Sequence, residues 1–295
     1  MVAENGYKIV EAREAVSDGE PKYGEGEYRM ITDGLSASVS QLLSKPVEPL
    51  ENDSALHRNF ASLDLTEEAY LSFAAQYGLL GGGLEAPIEI PAGKAGAKQI
   101  VSVGEPVKAW TSEVESLRNA IHLWELVQGN DGAALKRYFE EEKPQLPPKF
   151  SALVTVGQSG KPAFYVLKGE IRAHLQGQVP LGVTASDDIE GPVVDFPVQS
   201  LRVGLWLMLS LEIHDQRRFK SCAQCGKWFE ILTGARRTTR VYCSDACRIK
   251  TYRGRQEEAR RMHAEGAVVK AIAKKLDTDT TTVEKWIGGG GAKKG

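Results

Sequence analysis

The sequence predicts an α+β protein with its parts in series: a mixed α/β N-terminal domain, a treble-clef-like four-cysteine finger and a small helical end. Three observations predict it. Apolar residues recur at helical spacing in some stretches and at strand spacing in others, and all four cysteines of the 295 residues lie between positions 222 and 247. The charge is also divided, with 19 Lys and Arg against 8 Asp and Glu in residues 217–295, a net +11, and 18 against 31 before them, a net −13. A basic C-terminal quarter on an acidic body points to a polyanionic partner for the basic part.

A hydrophobic fraction of 42% leaves room for a sizeable core. No apolar run reaches the roughly 18 residues a membrane-spanning helix needs, and Met1-Val-Ala-Glu-Asn-Gly lacks a basic start with a hydrophobic follow-on. The expectation is a cytoplasmic protein with no membrane contact.

The first thirty residues are polar and glycine-rich and read as loop with a single strand at most. A Thr66-Glu-Glu start predicts a helix to Tyr77, the glycines 81–83 punctuate the chain, and residues 87–90 suit a strand. Trp110, Val114, Leu117, Ile121, Trp124 and Val127 predict the buried face of a helix over 106–128. After Pro144–Pro148 a hairpin is expected, with residues 152–156 and 163–167 as its strands. The apolar stretch Leu201 to Ile213 suits a buried helix that delivers the chain to the cysteines. The expected domains are 1–216, sensory or oligomerising; 217–256, the finger with a basic helix; 257–287, a helix-turn-helix; and 288–295, a disordered tail.

Cys222-Ala-Gln-Cys225, seventeen residues, then Cys243-Ser-Asp-Ala-Cys247 give two close pairs, each able to supply half of a tetrahedral shell. Gly226 suits the tight turn of a knuckle, and Ser244 suits the cap of a helix carrying Cys247. A hairpin is expected through residues 228–232 and 241–242. Four cysteines leave no open coordination position, so the expected cofactor is one structural Zn²⁺, with an iron–sulfur cluster as the competing reading. Its four thiolates would bring the folded basic region nearer to +9.

Arg236, Arg237, Arg240, Arg248, Lys250, Arg253, Arg255, Arg260 and Arg261 follow within and beyond the finger, with Tyr252 among them. Guanidinium groups pair with phosphates and guanine edges, so nucleic acid is the expected partner; a solvated helix face paired with Glu257 and Glu258 is the plain alternative. From Glu257 onward three helices are expected, with Ile272, Ala273, Leu276, Val283, Trp286 and Ile287 as core and Asp279 as a cap. Thr280, Thr281, Glu284 and Lys285 would then face the major groove.

The run Arg217-Arg-Phe-Lys-Ser-Cys222-Ala-Gln-Cys225-Gly-Lys-Trp-Phe, with Tyr242-Cys243-Ser-Asp-Ala-Cys247-Arg and Tyr252-Arg, resembles the CGNR-type zinc finger of bacterial stress-induced transcription regulators. Family members carry Gly-Asn-Arg after the last cysteine, where this chain has Arg248-Ile249-Lys250. Residues 265–287 separately resemble the DNA-binding end of resolvases and invertases, matched at Ile272-Ala273, Leu276 and Thr282-Val283. These resemblances imply a bacterial regulator that binds double-stranded DNA, and useful selectivity from so small a reading head implies a homodimer formed through the N-terminal domain. The different reading is an antitoxin-like adaptor whose basic end docks an acidic protein. His57, His122, His174, His214 and His263 are scattered outside any ligand or catalytic spacing, so no enzyme is expected.

Overall fold

The computed structural model describes residues 7–14, 27–32, 53–81, 86–90, 100–177, 182–185, 192–195, 198, 200–231 and 239–288, and the chain divides into two compact units, Met1–Arg217 and Arg218–Gly295. The architecture is α+β, helices with small antiparallel sheets.

In the first unit four strands, β1 (Lys8–Glu14), β2 (Glu27–Thr32), β3 (Ala86–Ile90) and β4 (Ile100–Pro106), close on themselves in the order β1-β2-β4-β3. The last strand in that order returns to β1 through Arg13↔Glu89 and Glu14↔Ile88, so no open edge remains. The stretch expected to be mostly loop therefore supplies β1 and the start of β2. A second sheet pairs β5 (Gly182–Ala185) with β6 (Pro192–Asp195).

Seven helices are described in this unit: α1 (Leu56–Ala61), α2 (Glu67–Tyr77), α3 (Val107–Gln128), α4 (Gly132–Glu142), α5 (Pro148–Thr155), α6 (Gly160–Leu175) and α7 (Leu201–Asp215). Their starts follow local chemistry. Thr66 accepts the Ala69 amide at 3.3 Å to cap α2, Asp131 accepts from Ala133 and Ala134 to cap α4, and Ser200 accepts from Val203 at 3.2 Å to cap α7. The central helix is α3, which packs against α1, α6 and α7. Trp110, Val114, Leu117, Ile121 and Trp124 are buried as their spacing predicts, with Val127 half-buried at the last turn. Around Trp110 stand Phe60, Phe73 and Tyr70, with ring centroids 6.2, 6.3 and 5.8 Å away.

The hairpin expected over 152–167 is not present: both arms are helical, in α5 and α6. Pro148 occupies the first turn of α5 and Pro162 that of α6, where a missing N–H removes no helical bond. Beyond position 167 the period declares itself, because Ala163, Leu167, Ile171 and Leu175 form one helical stripe against the core. Five residues were too short a window to separate the two periods.

Among the described residues three carboxylates are buried in this unit. Glu105 accepts from the Leu80 and Gly81 amides at 3.0 and 2.6 Å and from Trp110 Nε1 at 2.7 Å. Glu113 on α3 accepts from Trp206 Nε1 at 2.5 Å and from Arg202 Nε at 2.9 Å. Arg202 Nη2 lies 2.6 Å from His174 Nδ1; since guanidinium only donates, that nitrogen accepts and does not also donate to Glu113, 3.3 Å away. The His174 ring stacks on Trp206 at 3.9 Å.

Glu212 on α7 is 0% exposed and takes both Arg58 Nη2 at 2.5 Å and Arg58 Nε at 2.8 Å, with His57 Nε2 at 2.7 Å. A carboxylate only accepts, so the His57 proton is on Nε2. Burial alone would raise the Glu212 carboxyl, but the hydrogen bonds from Arg58 and His57 outweigh it and hold it below its ordinary value. Burial lowers the His57 ring below 6.5, so it is neutral.

Both shifts make the unfolded chain bind more protons in acid, so stability rises with pH. The His57 contribution is lost as pH falls below 6.5, and the Glu212 stabilisation, present above 4.5, is lost as pH falls through its lowered value. Urea midpoints should therefore already decrease between about pH 7.5 and about pH 5. At neutral pH, Arg58→Met leaves the buried Glu212 with His57 alone and should remove about 3–5 kcal/mol from the urea-extrapolated stability of this unit. An unchanged midpoint would contradict this account.

Candidate metal centre and the basic helix

The second unit begins with a hairpin, β7 (Arg218–Ser221) antiparallel to β8 (Trp228–Ile231), in the register Arg218↔Ile231 and Ser221↔Trp228. The expected partner of residues 228–232 was 241–242, and this is corrected: β8 pairs with β7, and residue 241 instead accepts from the Ala223 N–H at 3.0 Å. The six residues from Cys222 to Lys227 turn the chain back on itself, so the near strand is reached with a shorter loop. Gly226, at φ +74, donates to the Cys222 carbonyl at 2.9 Å in that turn.

Helix α8 (Asp245–Ala264) starts where Ser244 accepts the Cys247 amide at 3.3 Å, which sets Cys247 on its first turn. The turn and the helix together bring the sulfurs of Cys222, Cys225, Cys243 and Cys247 to within 4.8 Å of one another. Two edges are 3.7 Å, Cys225 to Cys243, and 3.6 Å, Cys243 to Cys247. A tetrahedron of metal–sulfur bonds of about 2.3 Å has sulfur–sulfur edges of about 3.8 Å, whereas a disulfide needs about 2.05 Å. The donor set thus fits a metal ion, and among the described residues it is the one cluster of this kind.

The thiols are unequal. Burial opposes ionisation of Cys222, but the N–H groups of Cys243, Gln224 and Cys225 outweigh it and draw the thiol down to about 6. Burial and then the neighbouring Cys247, Cys225 and Cys222 push Cys243 up to about 12, and Cys225 is also raised. Four sulfurs this close do not all ionise by themselves; a cation among them removes that repulsion.

Helix α8 is unbroken for 20 residues, so the boundary expected between residues 256 and 257 falls inside it. Its far end packs on α9 (Val269–Lys275) and α10 (Thr280–Gly288) around Ala259, Ile272, Ala273, Val283 and Trp286, with Leu276 and Ile287 half-buried. Asp279 accepts the Thr282 amide at 2.7 Å at the start of α10. Tyr252 accepts from Trp286 Nε1 at 3.0 Å, and the residue is still 51% exposed.

The basic residues separate into two sets. Lys250, Arg253 and Arg255 are exposed on α8, and among the described residues none carries a hydrogen bond or ion pair with them. Arg248 pairs with Asp245 at 3.1 Å, Arg260 donates to the Trp286 carbonyl at 2.9 Å, and Arg261 lies between Glu258 and Glu265, both at 2.8 Å. Arg240 donates to the carbonyls of Tyr242 and Cys243 and lies over the Phe229 ring at 5.0 Å. Its side chain holds the ligand loop, a role its place in a basic run did not reveal. On α10, Thr280, Thr281, Glu284 and Lys285 are exposed. Arg236 and Arg237 lie outside the described residues, as does all of the expected tail after Gly288, which closes α10.

Among the described residues no helix is long and apolar enough to cross a membrane. Comparison with protein-family models, curated proteins and solved structures finds no match to this chain.

Because Arg240 fixes the carbonyl of a ligand, Arg240→Ala should weaken metal affinity about 10- to 100-fold in competition with a chromogenic chelator, with one metal still bound per chain. Affinity equal to wild type would mean that the loop is held without it.

Proposed function

We propose that the chain is a cytoplasmic DNA-binding transcriptional regulator whose second unit is a treble-clef-like zinc finger continuous with a helix-turn-helix. The observation that carries the proposal is the single helix α8. It joins a four-thiolate cluster at one end to a three-helix core at the other and exposes Lys250, Arg253 and Arg255 between them. Zinc is the metal of choice here because four soft thiolates at tetrahedral separations leave no open position, which gives a structural site. The net +11 of residues 217–295 supplies sequence-independent attraction to phosphates. Thr280, Thr281, Glu284 and Lys285, on the exposed side of α10, would supply the base contacts. The resemblance to CGNR-type fingers and to resolvase ends supports the same reading, and the first unit would act as sensor and dimer contact.

A second reading has an observation of its own. Ala246, Ile249 and Gly254 line a groove of about 780 Å³ with Lys250 and Arg253, and Ile249 is 44% exposed. Glu257 also lines it, so two cations against one carboxylate leave the apolar strip a net positive charge, which also suits an acidic protein segment.

Native mass spectrometry should find one zinc per chain, and Cys243→Ser or chelation should melt the second unit while the first stays folded. A folded, metal-free Cys243→Ser unit would sink the zinc reading.

Anisotropy of the full zinc-loaded chain with labelled duplex should show steep salt dependence. Lys250→Gln with Arg253→Gln and Arg255→Gln should weaken all duplexes alike and reduce the log–log salt slope by about 3, roughly one per phosphate contact removed. Thr281→Ala should change which site is preferred and leave the slope alone. Absence of duplex binding at low salt would favour the adaptor reading.

A further inference from the structure

The first unit has an open groove of about 670 Å³ between α6 and α7, with Phe164, Ile171, Leu175 and Ile213 as its apolar lining and Lys168 and Arg172 beside them. Its charge runs against its surroundings. Residues 1–216 carry a net −13, yet among the described residues no carboxylate lines the groove. Lys168 and Arg172 stand one helical turn apart, an arrangement of like charges that disfavours the helix unless something answers it. Among the described residues neither cation is paired with a carboxylate; Arg172 Nε meets only the neutral Gln176 Oε1, at 3.3 Å. Phe164 is 45% exposed, and the stripe from it to Leu175 runs about 16 Å along α6 at 1.5 Å per residue. The volume falls within the range of about 300–1,000 Å³ typical of small-molecule sites. A strip of three turns falls short of the roughly 800 Å² per partner that a stable protein interface covers.

We propose that this groove binds an amphiphilic anion: an alkyl chain ending in a carboxylate, with its tail against Phe164, Ile171, Leu175 and Ile213 and its headgroup at Lys168 and Arg172. Apolar contact supplies most of the attraction, and the two cations select the sign of the headgroup.

Calorimetric titration of the full metal-loaded chain tests this with dodecanoate, hexanoate and dodecyltrimethylammonium. Dodecanoate should bind at one per chain, hexanoate at least ten-fold more weakly, and the cationic amphiphile should not bind. The double variant Lys168→Glu with Arg172→Glu, two exposed positions, should lose at least ten-fold for dodecanoate and gain the cationic amphiphile. Equal binding of both headgroups by the wild-type chain would overturn the proposal, and that comparison does not depend on the variant folding. No dodecanoate binding, with a sedimenting dimer that the double variant dissociates, would overturn it too and identify a second copy as the occupant.

Discussion

The carboxylate of Glu212 has no contact with water and is held by the guanidinium of Arg58 and the ring of His57. Moving a charge of this size into a protein interior costs several kcal/mol unless partners meet it, so α1 and α7 are committed to one relative register. A one-residue slip of α7 would turn Glu212 away and take from Arg58 its buried carboxylate, leaving it the exposed Glu125. Glu113 ties the second turn of α3 to the start of α7 in the same way, and Glu105 ties the end of β4 to the amides of Leu80 and Gly81. Apolar packing would tolerate several arrangements of these helices. The ionic contacts remove most of them.

The second unit meets the opposite condition. Its core holds five buried side chains, two of them alanines, and all lie beyond the middle of α8. Among the described residues of the half that contains the hairpin, Cys222 and Phe229 are the buried ones. Order there rests on the sulfur cluster, the short hairpin and Arg240 bridging the ligand loop to the Phe229 ring. The four cysteines are placed where a metal ion could be held, and a bound metal would add to the order of that half.

How much of this was legible in the sequence follows from the range of each signal. The cysteine pairs are local, and their spacing alone identified the cluster. The face of α3 was equally plain because six apolar residues repeat over five turns. The segment 152–167 was misread because each arm was judged over five residues, although Leu175 lies on the same stripe. The buried ionic contacts join residues 89 or 154 positions apart, which no local pattern encodes. One trace was nevertheless present: Arg202 and Glu212 are the two charged residues inside the apolar stretch 201–213, and each proves to be engaged by a buried or partly buried partner of opposite charge. Arg240 was hidden for the converse reason, since a basic run disguises the member whose work is structural.

Because α8 passes from the sulfur cluster to the three-helix core without interruption, it is a gauge of fixed length and fixed phase. Its 20 residues span about 30 Å, and each adds about 100° of rotation. The angle between the face that presents Arg253 and the face that meets α10 is therefore written in the residue count between them. Among chains built on this plan, single-residue insertions in that helix would be excluded by geometry. Additions of seven, which nearly restore the phase, would lengthen the gauge by about 10 Å and move the two contact patches apart along whatever surface they share.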